Sequence, residues 1–209
     1  MPQIITIAGL SACGKTTLAR DLSAAMNAPI LTMDAYYRDI SEFNLDAVQV
    51  ASLNWDDLAM FHFGEFAEHV QELAHGKKIE APSYDFSLSA RRPITFPIQA
   101  DPIAIIEGQF ALAIPEVSRV STINIFVEVP LEEGLERRIQ RDVRERGRDQ
   151  YGVETQWNHH VIPAYQKWIE PSRANADLVL SGKNNRQDNV QAVISHLAGL
   201  KSPSAYLES

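Results

Sequence analysis

Residues Ile4 to Ala8, IITIA, form a short β-branched run that leads directly into Gly9-Leu-Ser-Ala-Cys-Gly-Lys-Thr-Thr17. Leu18, Leu22, Ala25 and Met26 then fall at helical spacing. Strand, glycine-bearing loop and helix in that order constrain the fold strongly, because Gly9-x-x-x-x-Gly14-Lys15-Thr16 fits the P-loop pattern in the context that gives it meaning. Glycines let the backbone curl until successive N–H groups converge on phosphate oxygens, and the helix amino terminus adds positive potential. Lys15 is expected to reach the terminal phosphates of a nucleotide and Thr16 to hold Mg²⁺ through its hydroxyl. The expected nucleotide-binding residues are therefore Gly9, Ser11, Ala12, Cys13, Gly14, Lys15, Thr16 and Thr17. Cys13 is read as a small residue tolerated in the loop, where bound phosphate would shield its thiol, rather than as a redox sensor. No Asn-Lys-x-Asp guanine motif accompanies the loop, which argues against a GTPase.

Four further apolar runs follow, at 29–33, 103–106, 123–129 and 176–180. Amphipathic or charged helices are expected over 57–75, 131–145, 154–170 and 190–200. The segment 79–98 alternates β-like pieces with Pro82, Pro93 and Pro97, and reads as an irregular excursion or small hairpin. The expected class is α/β: three layers, with a five-stranded parallel sheet carrying helices on both faces. A small β excursion and an arginine-rich lid over about 131–153 would complete it. A length of 209 residues suits one domain, placed at 1–200, with 201–209 a polar tail.

With 45% hydrophobic and 22% charged residues, the chain is neither disordered nor collagen-like, and one cysteine rules out a disulfide scaffold. A single thiol, no basic region before the first apolar run and no apolar stretch near the roughly 20 residues of a membrane span point to the cytoplasm. A net charge of −8 argues against general nucleic-acid or membrane-surface binding. That charge is unevenly spread. Residues 137–148 hold six arginines and two acids, net +4, and the rest of the chain carries −12.

Asp34 ends the second apolar run and Glu107 the third, so both should project from the sheet edge that carries the P-loop. A carboxylate at Asp34 can accept the proton of an attacking hydroxyl, and Glu107 is the natural partner of Thr16 around a metal.

Asp34-Ala-Tyr-Tyr37-Arg38, Asn54-Trp-Asp56, Pro82-Ser-Tyr84-Asp85-Phe86, Ile106-Glu107-Gly108 and Arg141-Asp-Val-Arg-Glu-Arg146-Gly-Arg148-Asp149 resemble, in order and spacing, the uridine–cytidine kinases of the uridine kinase/phosphoribulokinase group. The likeness runs from about Ile5 to Asn185. The resemblance implies a P-loop kinase fold with ATP as phosphate donor and Mg²⁺ as cofactor. It makes Asp34 the base toward a nucleoside 5′-hydroxyl, with Glu107 and Thr16 around the metal. It assigns Asp56, Arg138 and Gln156 to the ribose, and Tyr37, Tyr84, Phe86 and Arg148 to the base. A carboxylate and an amide gripping vicinal hydroxyls would reject a deoxyribose, because buried polar partners would be left unpaired. Two positions depart from the family pattern. Trp55 stands where a smaller aromatic is usual, and Ser89 where a histidine commonly helps read the 4-position of the pyrimidine. Family members often associate, which implies a homo-oligomer.

Within the arginine segment, helical spacing puts 137, 141, 144 and 148 on one face. Arg137 and Arg144 are expected to be solvated ion-pair partners, whereas Arg141 and Arg146 would neutralise transferred charge on a closing lid hinged near Gly147. No histidine is given a catalytic role, since His159 and His160 point about 100° apart on a helix. The resulting expectation is an ATP-dependent kinase of a ribonucleoside, uridine or cytidine. A different acceptor, such as nicotinamide riboside or a small alcohol, and a non-catalytic nucleotide-binding regulator remain as alternatives.

Overall fold

The computed structural model describes residues 1–46, 49, 50 and 53–200, with Arg146 described by its backbone alone; the expected polar tail lies outside the described residues. In chain order the strands are β1 (Gln3–Gly9), β2 (Ile30–Thr32), β3 (Lys78–Asp85), β4 (Ala90–Gln99), β5 (Ile103–Glu107), β6 (Ile123–Glu128) and β7 (Leu178–Ser181). The longer helices are α1 (Lys15–Met26), α2 (Phe63–Ala74), α3 (Leu131–Arg146), α4 (150–175) and α5 (Arg186–Leu200).

All five apolar runs become strands of one parallel sheet, ordered β2-β5-β1-β6-β7. Ile5 of the central strand lies opposite Ile105 on one side and Ile123 on the other. Such strands have no wet face, which is why they read as continuous β-branched runs rather than alternating ones. Successive side chains of β1 nevertheless part to two cores. Ile4 and Ala8 pack with Ile106, Phe126 and the α2 residues Phe66, Val70 and Leu73. Ile5 and Ile7 pack with Leu18 and Leu22 of α1 and Val193 and Leu197 of α5. Truncating a fully buried residue such as Ile5 to alanine would cost about 2–5 kcal/mol. Because all five strands run the same way, the carboxyl ends of β1, β2 and β5 bring the P-loop, Asp34 and Glu107 to one edge, where ligands bind in open α/β sheets.

The excursion is more regular than its prolines suggested. β3 and β4 form an antiparallel hairpin with one register shift between Ala81 and Ser83, at Pro82. Pro93 and Pro97 are tolerated because β4 pairs only with β3, so its other edge needs no donors. The helix expected over 57–75 divides into a 3₁₀ turn at Leu58–Met60, capped by the Asp57 side chain, and α2 proper. Between them Phe61 bridges to Tyr37, and the His62 N–H donates to the Tyr36 carbonyl.

The helix expected over 154–170 begins earlier, at Gln150, where the Asp149 carboxylate caps Gly152 N–H, and it ends later, at Asn175. Two π-helical turns, Trp157–Val161 and Tyr165–Ile169, precede Pro163 and Pro171. Widening the helix there accommodates residues that lack an N–H and would clash with the carbonyl four residues back. The last helix begins at Arg186, with the Asn185 side chain accepting from Gln187 N–H. On α1, Leu18, Ala19 and Leu22 are buried, whereas Ala25 faces solvent.

Candidate active site

Gly9 leaves β1 at φ 145°, and a Cβ there would strike the Val127 carbonyl of the neighbouring strand. Only glycine fits. Ala12 at φ 63° and Gly14 at φ 103° turn the loop into α1, and Gly182 lies so close on the other side that a Cβ would collide with the Cys13 carbonyl. Cys13 itself is fully buried, and burial pushes its thiol up despite the nearby Lys15, which makes it a packing group rather than a reactive one.

Beneath the loop, Glu107 is 4% exposed. Its Oε1 accepts from the Thr32 hydroxyl at 2.7 Å and its Oε2 from the Thr16 hydroxyl at 3.3 Å. Burial raises its pKa; Lys15 works against that rise and the Asp34 carboxylate adds to it. Asp34 sits in the 3₁₀ turn Met33–Tyr36 that follows β2, its N–H donating to the Thr32 hydroxyl at 3.4 Å. Thr32 thus touches both carboxylate-bearing segments.

A cleft of about 570 Å³ opens from this floor. Lys15, Thr16, Asp34 and Arg141 line its inner end, and Tyr37, Asp56, Tyr84, Phe86, Arg138, Arg148 and Gln156 line the rest. Residues from seven separate stretches of chain converge on it. The aromatic wall is a packed set, with Tyr37 and Tyr84 centroids 5.5 Å apart, Tyr84 and Phe86 5.1 Å, and Tyr37 edge-on to Trp55 at 6.1 Å. Burial pushes the Tyr84 hydroxyl up to about 12, so it stays a neutral donor, here to the Arg38 carbonyl at 3.2 Å. Ser89 also lines the cleft, in the left-handed region at φ 50°.

Asp56 is held by both terminal nitrogens of Arg138, at 3.1 and 3.3 Å, and by the Gln156 amide at 2.7 Å. Arg138 is 3% exposed and Asp56 7%, so each offsets the other's desolvation. Gln156 in turn accepts from Arg148 at 2.8 Å.

Two expectations for the arginine segment need correction. Arg148 does not share a helical face with 137, 141 and 144, because Gly147 at φ 63° ends α3 in a left-handed cap; the Arg148 N–H folds back to the Asp142 carbonyl. Arg137 is not simply solvated. It bonds Glu133 and the Gly182 carbonyl, and it lines a second pocket of about 190 Å³ on the outer side of the P-loop with Gly14, Thr17, Asn184 and Arg186. Arg144 is exposed and paired with Glu145, as expected. The Arg146 side chain lies outside what is described. Sequence reasoning also passed over Gln109 and Ser87 in the cleft, and took Asp142 for an ordinary partner on a helix surface, although it is wholly buried. Among the histidines, His69 takes a 2.6 Å hydrogen bond with the buried Tyr36 hydroxyl, a core contact rather than a solvated one. No helix among the described residues is long and apolar enough to cross a membrane.

Residues 4–187 match the model of the phosphoribulokinase/uridine kinase family. The chain is 34% identical over 190 residues to a uridine kinase of Ureaplasma parvum serovar 3, covering 88% of this chain and 91% of that protein. It is 32% identical over 201 residues to a uridine kinase of Halobacterium salinarum, covering 92% and 88%. Among solved structures it is similar in fold to phosphoribulokinase from Rhodobacter spheroides, at a TM-score of 0.62 and 15% identity, over 88% of this chain and 73% of that one.

Proposed function

The chain belongs to the phosphoribulokinase/uridine kinase family, and from that premise we propose that it transfers the γ-phosphoryl group of ATP to the 5′-hydroxyl of a ribonucleoside, uridine or cytidine. The observation that carries this reading is the single cleft joining Lys15 and Asp34 to the Asp56–Gln156 pair and then to an aromatic wall. Its order suits a nucleoside laid with its 5′ end at the P-loop, its vicinal hydroxyls at the carboxylate–amide pair and its base among the rings.

In this arrangement Asp34 accepts the proton of the attacking hydroxyl, and Lys15 with the P-loop amides holds the donor phosphates. Arg141 and Arg146 offset charge spread over the transferring group. Closure of the arginine segment excludes the water that would compete with the nucleoside. The carboxylate of Glu107 and the hydroxyl of Thr16 suit a magnesium ion. A buried carboxylate whose pKa is raised by desolvation is one that a divalent cation would favour in its charged form. No group of three or more His, Cys, Asp or Glu that could hold a metal occurs among the described residues, which fits an ion that takes its remaining ligands from phosphate and water. When bound, it would screen the phosphate charges. The segment 1–200 is treated as one catalytic domain acting in the cytoplasm, with the acceptor excursion at 79–98 and the lid near 131–153.

The test is a panel of ribonucleosides, deoxyribonucleosides, nicotinamide riboside and small alcohols, incubated with purified protein, ATP and Mg²⁺. Uridine or cytidine should be phosphorylated far faster than the 2′-deoxy forms. Turnover of another acceptor alone would move the assignment there, and nucleotide binding without any phosphorylated product would indicate a regulator.

A further inference from the structure

Asp142 lies on α3 with its carboxylate fully buried, and nothing in the proposed chemistry uses it. Among the described side chains, three guanidinium groups approach its two oxygens. Arg141 Nε donates to Oδ1 at 2.8 Å, Arg148 Nη1 approaches Oδ2 at 3.4 Å, and Arg138 Nε stands 3.7 Å from Oδ2. Burying a carboxylate is expensive unless charged donors surround it, so this side chain is held in place by the arginines and holds them in turn.

The partners of those arginines make the arrangement a circuit. Arg138 grips Asp56, Asp56 accepts from Gln156, Gln156 accepts from Arg148, and Arg148 returns to Asp142. Four members of this ring line the acceptor cleft, and Asp142 is the one that does not. Arg141, outside the ring, is attached to it through Asp142. Within this ring Arg138 Nε is buried without a hydrogen bond, so its contact with Asp142 has slack that a small shift would take up.

We propose that Asp142 is a positioning residue that couples occupancy of the acceptor cleft to the placement of Arg141. An acceptor whose hydroxyls engage Asp56 and Gln156 competes with the bond those two now make with each other. Arg138 and Arg148, both tied to that pair, then shift against Asp142, which carries Arg141 toward the transferring phosphoryl group. The proposal rests on the kinase reading above. It identifies the link by which the cleft is sensed.

The test compares wild type with Asp142→Asn, Arg141→Gln and the double variant, varying ATP and the preferred nucleoside independently. Asp142→Asn should lower kcat on the order of 10- to 100-fold, the scale of an ångström's misplacement of a reacting group, and should raise the acceptor KM. The KM for ATP should stay within about twofold, because the P-loop is outside the circuit. In the Arg141→Gln background the same substitution should change kcat less than about threefold, since its route of action is already gone. If Asp142→Asn does not fold, Asp142→Glu, which keeps the charge but shifts it by a methylene, carries the same expectation. Three results would each overturn the assignment: kcat and acceptor KM within about twofold of wild type, an ATP KM rising in step with the acceptor KM as general loosening would produce, or fully additive effects in the double variant. A wild type that phosphorylates no nucleoside overturns both this and the functional reading, whereas an active wild type with indifferent variants overturns the role of Asp142 alone.

Discussion

Asp34 and Asp56 are both aspartates of one cleft, yet their surroundings set different tests. Asp34 is half-buried at a strand end beside Lys15 and Glu107, so its substitution should act on chemistry. Asp34→Asn is expected to lower turnover by about 10²-fold or more, with ATP affinity by calorimetry unchanged. Equal turnover would remove it from the mechanism. Asp56 accepts from both terminal nitrogens of the buried Arg138, so Asp56→Ala should act on folding as well. Leaving that charge with only the looser Asp142 contact is expected to cost up to about 3 kcal/mol in urea unfolding, short of the roughly 3–5 kcal/mol of a buried charge with no partner. Residues at strand ends could be found from the sequence because an apolar run that stops at a carboxylate has one geometric meaning in a parallel sheet. Asp142 could not. In a segment as charged as 137–148, helical spacing says which residues share a face but not which face is buried, and the acids look like surface partners until Asp56, more than eighty residues upstream, supplies the facing wall.

At the scale of elements, the hairpin and the arginine segment are the parts whose anchoring is open to measurement. Asp39 accepts from the Ser41 hydroxyl and N–H and also from the Arg91 N–H of β4; these bonds, led by the Ser41 hydroxyl, hold its carboxyl below the usual range. The Ser87 hydroxyl, joined by the Arg92 guanidinium, holds half-buried Asp85 lower still, at about 2. Because these folded-state values are depressed, the stability they contribute is present above the unfolded value near 4 and is lost as pH falls toward 2. Stability in urea should therefore decline over that window, and less steeply in Asp39→Asn than in wild type. Identical slopes would contradict the assignment. At the end of the arginine-rich helix, Gly147 sits at φ 63° with open space where a Cβ would point, so Gly147→Ala tests backbone strain alone and should cost about 1–2 kcal/mol. The sheet strands were legible as apolar runs. The π turns of α4 were not, because they answer Pro163 and Pro171 within a helix that tertiary packing continues past both, whereas local rules end helices at proline.

For the whole molecule, the net charge of −8 divides into an acidic body and one basic strip of +4, and three arginines of that strip, Arg138, Arg141 and Arg148, line the cleft. Binding of ATP and nucleoside should then draw the P-loop, hairpin and lid together and stabilise the chain as a unit. ATP at about 100 times its dissociation constant is expected to add about 2.7 kcal/mol, read as a rise in melting temperature. Addition of the nucleoside should raise it further, and a nucleoside without thermal effect would speak against a cleft shared by both ligands. The most direct measurement is the position of the phosphate in the product formed from uridine and ATP, read by phosphorus–proton correlation in NMR. A uridine 5′-phosphate appearing in equal amount with ADP is the expected result, while ADP released without a phosphorylated nucleoside, or phosphate at the 2′ or 3′ oxygen, would contradict the account.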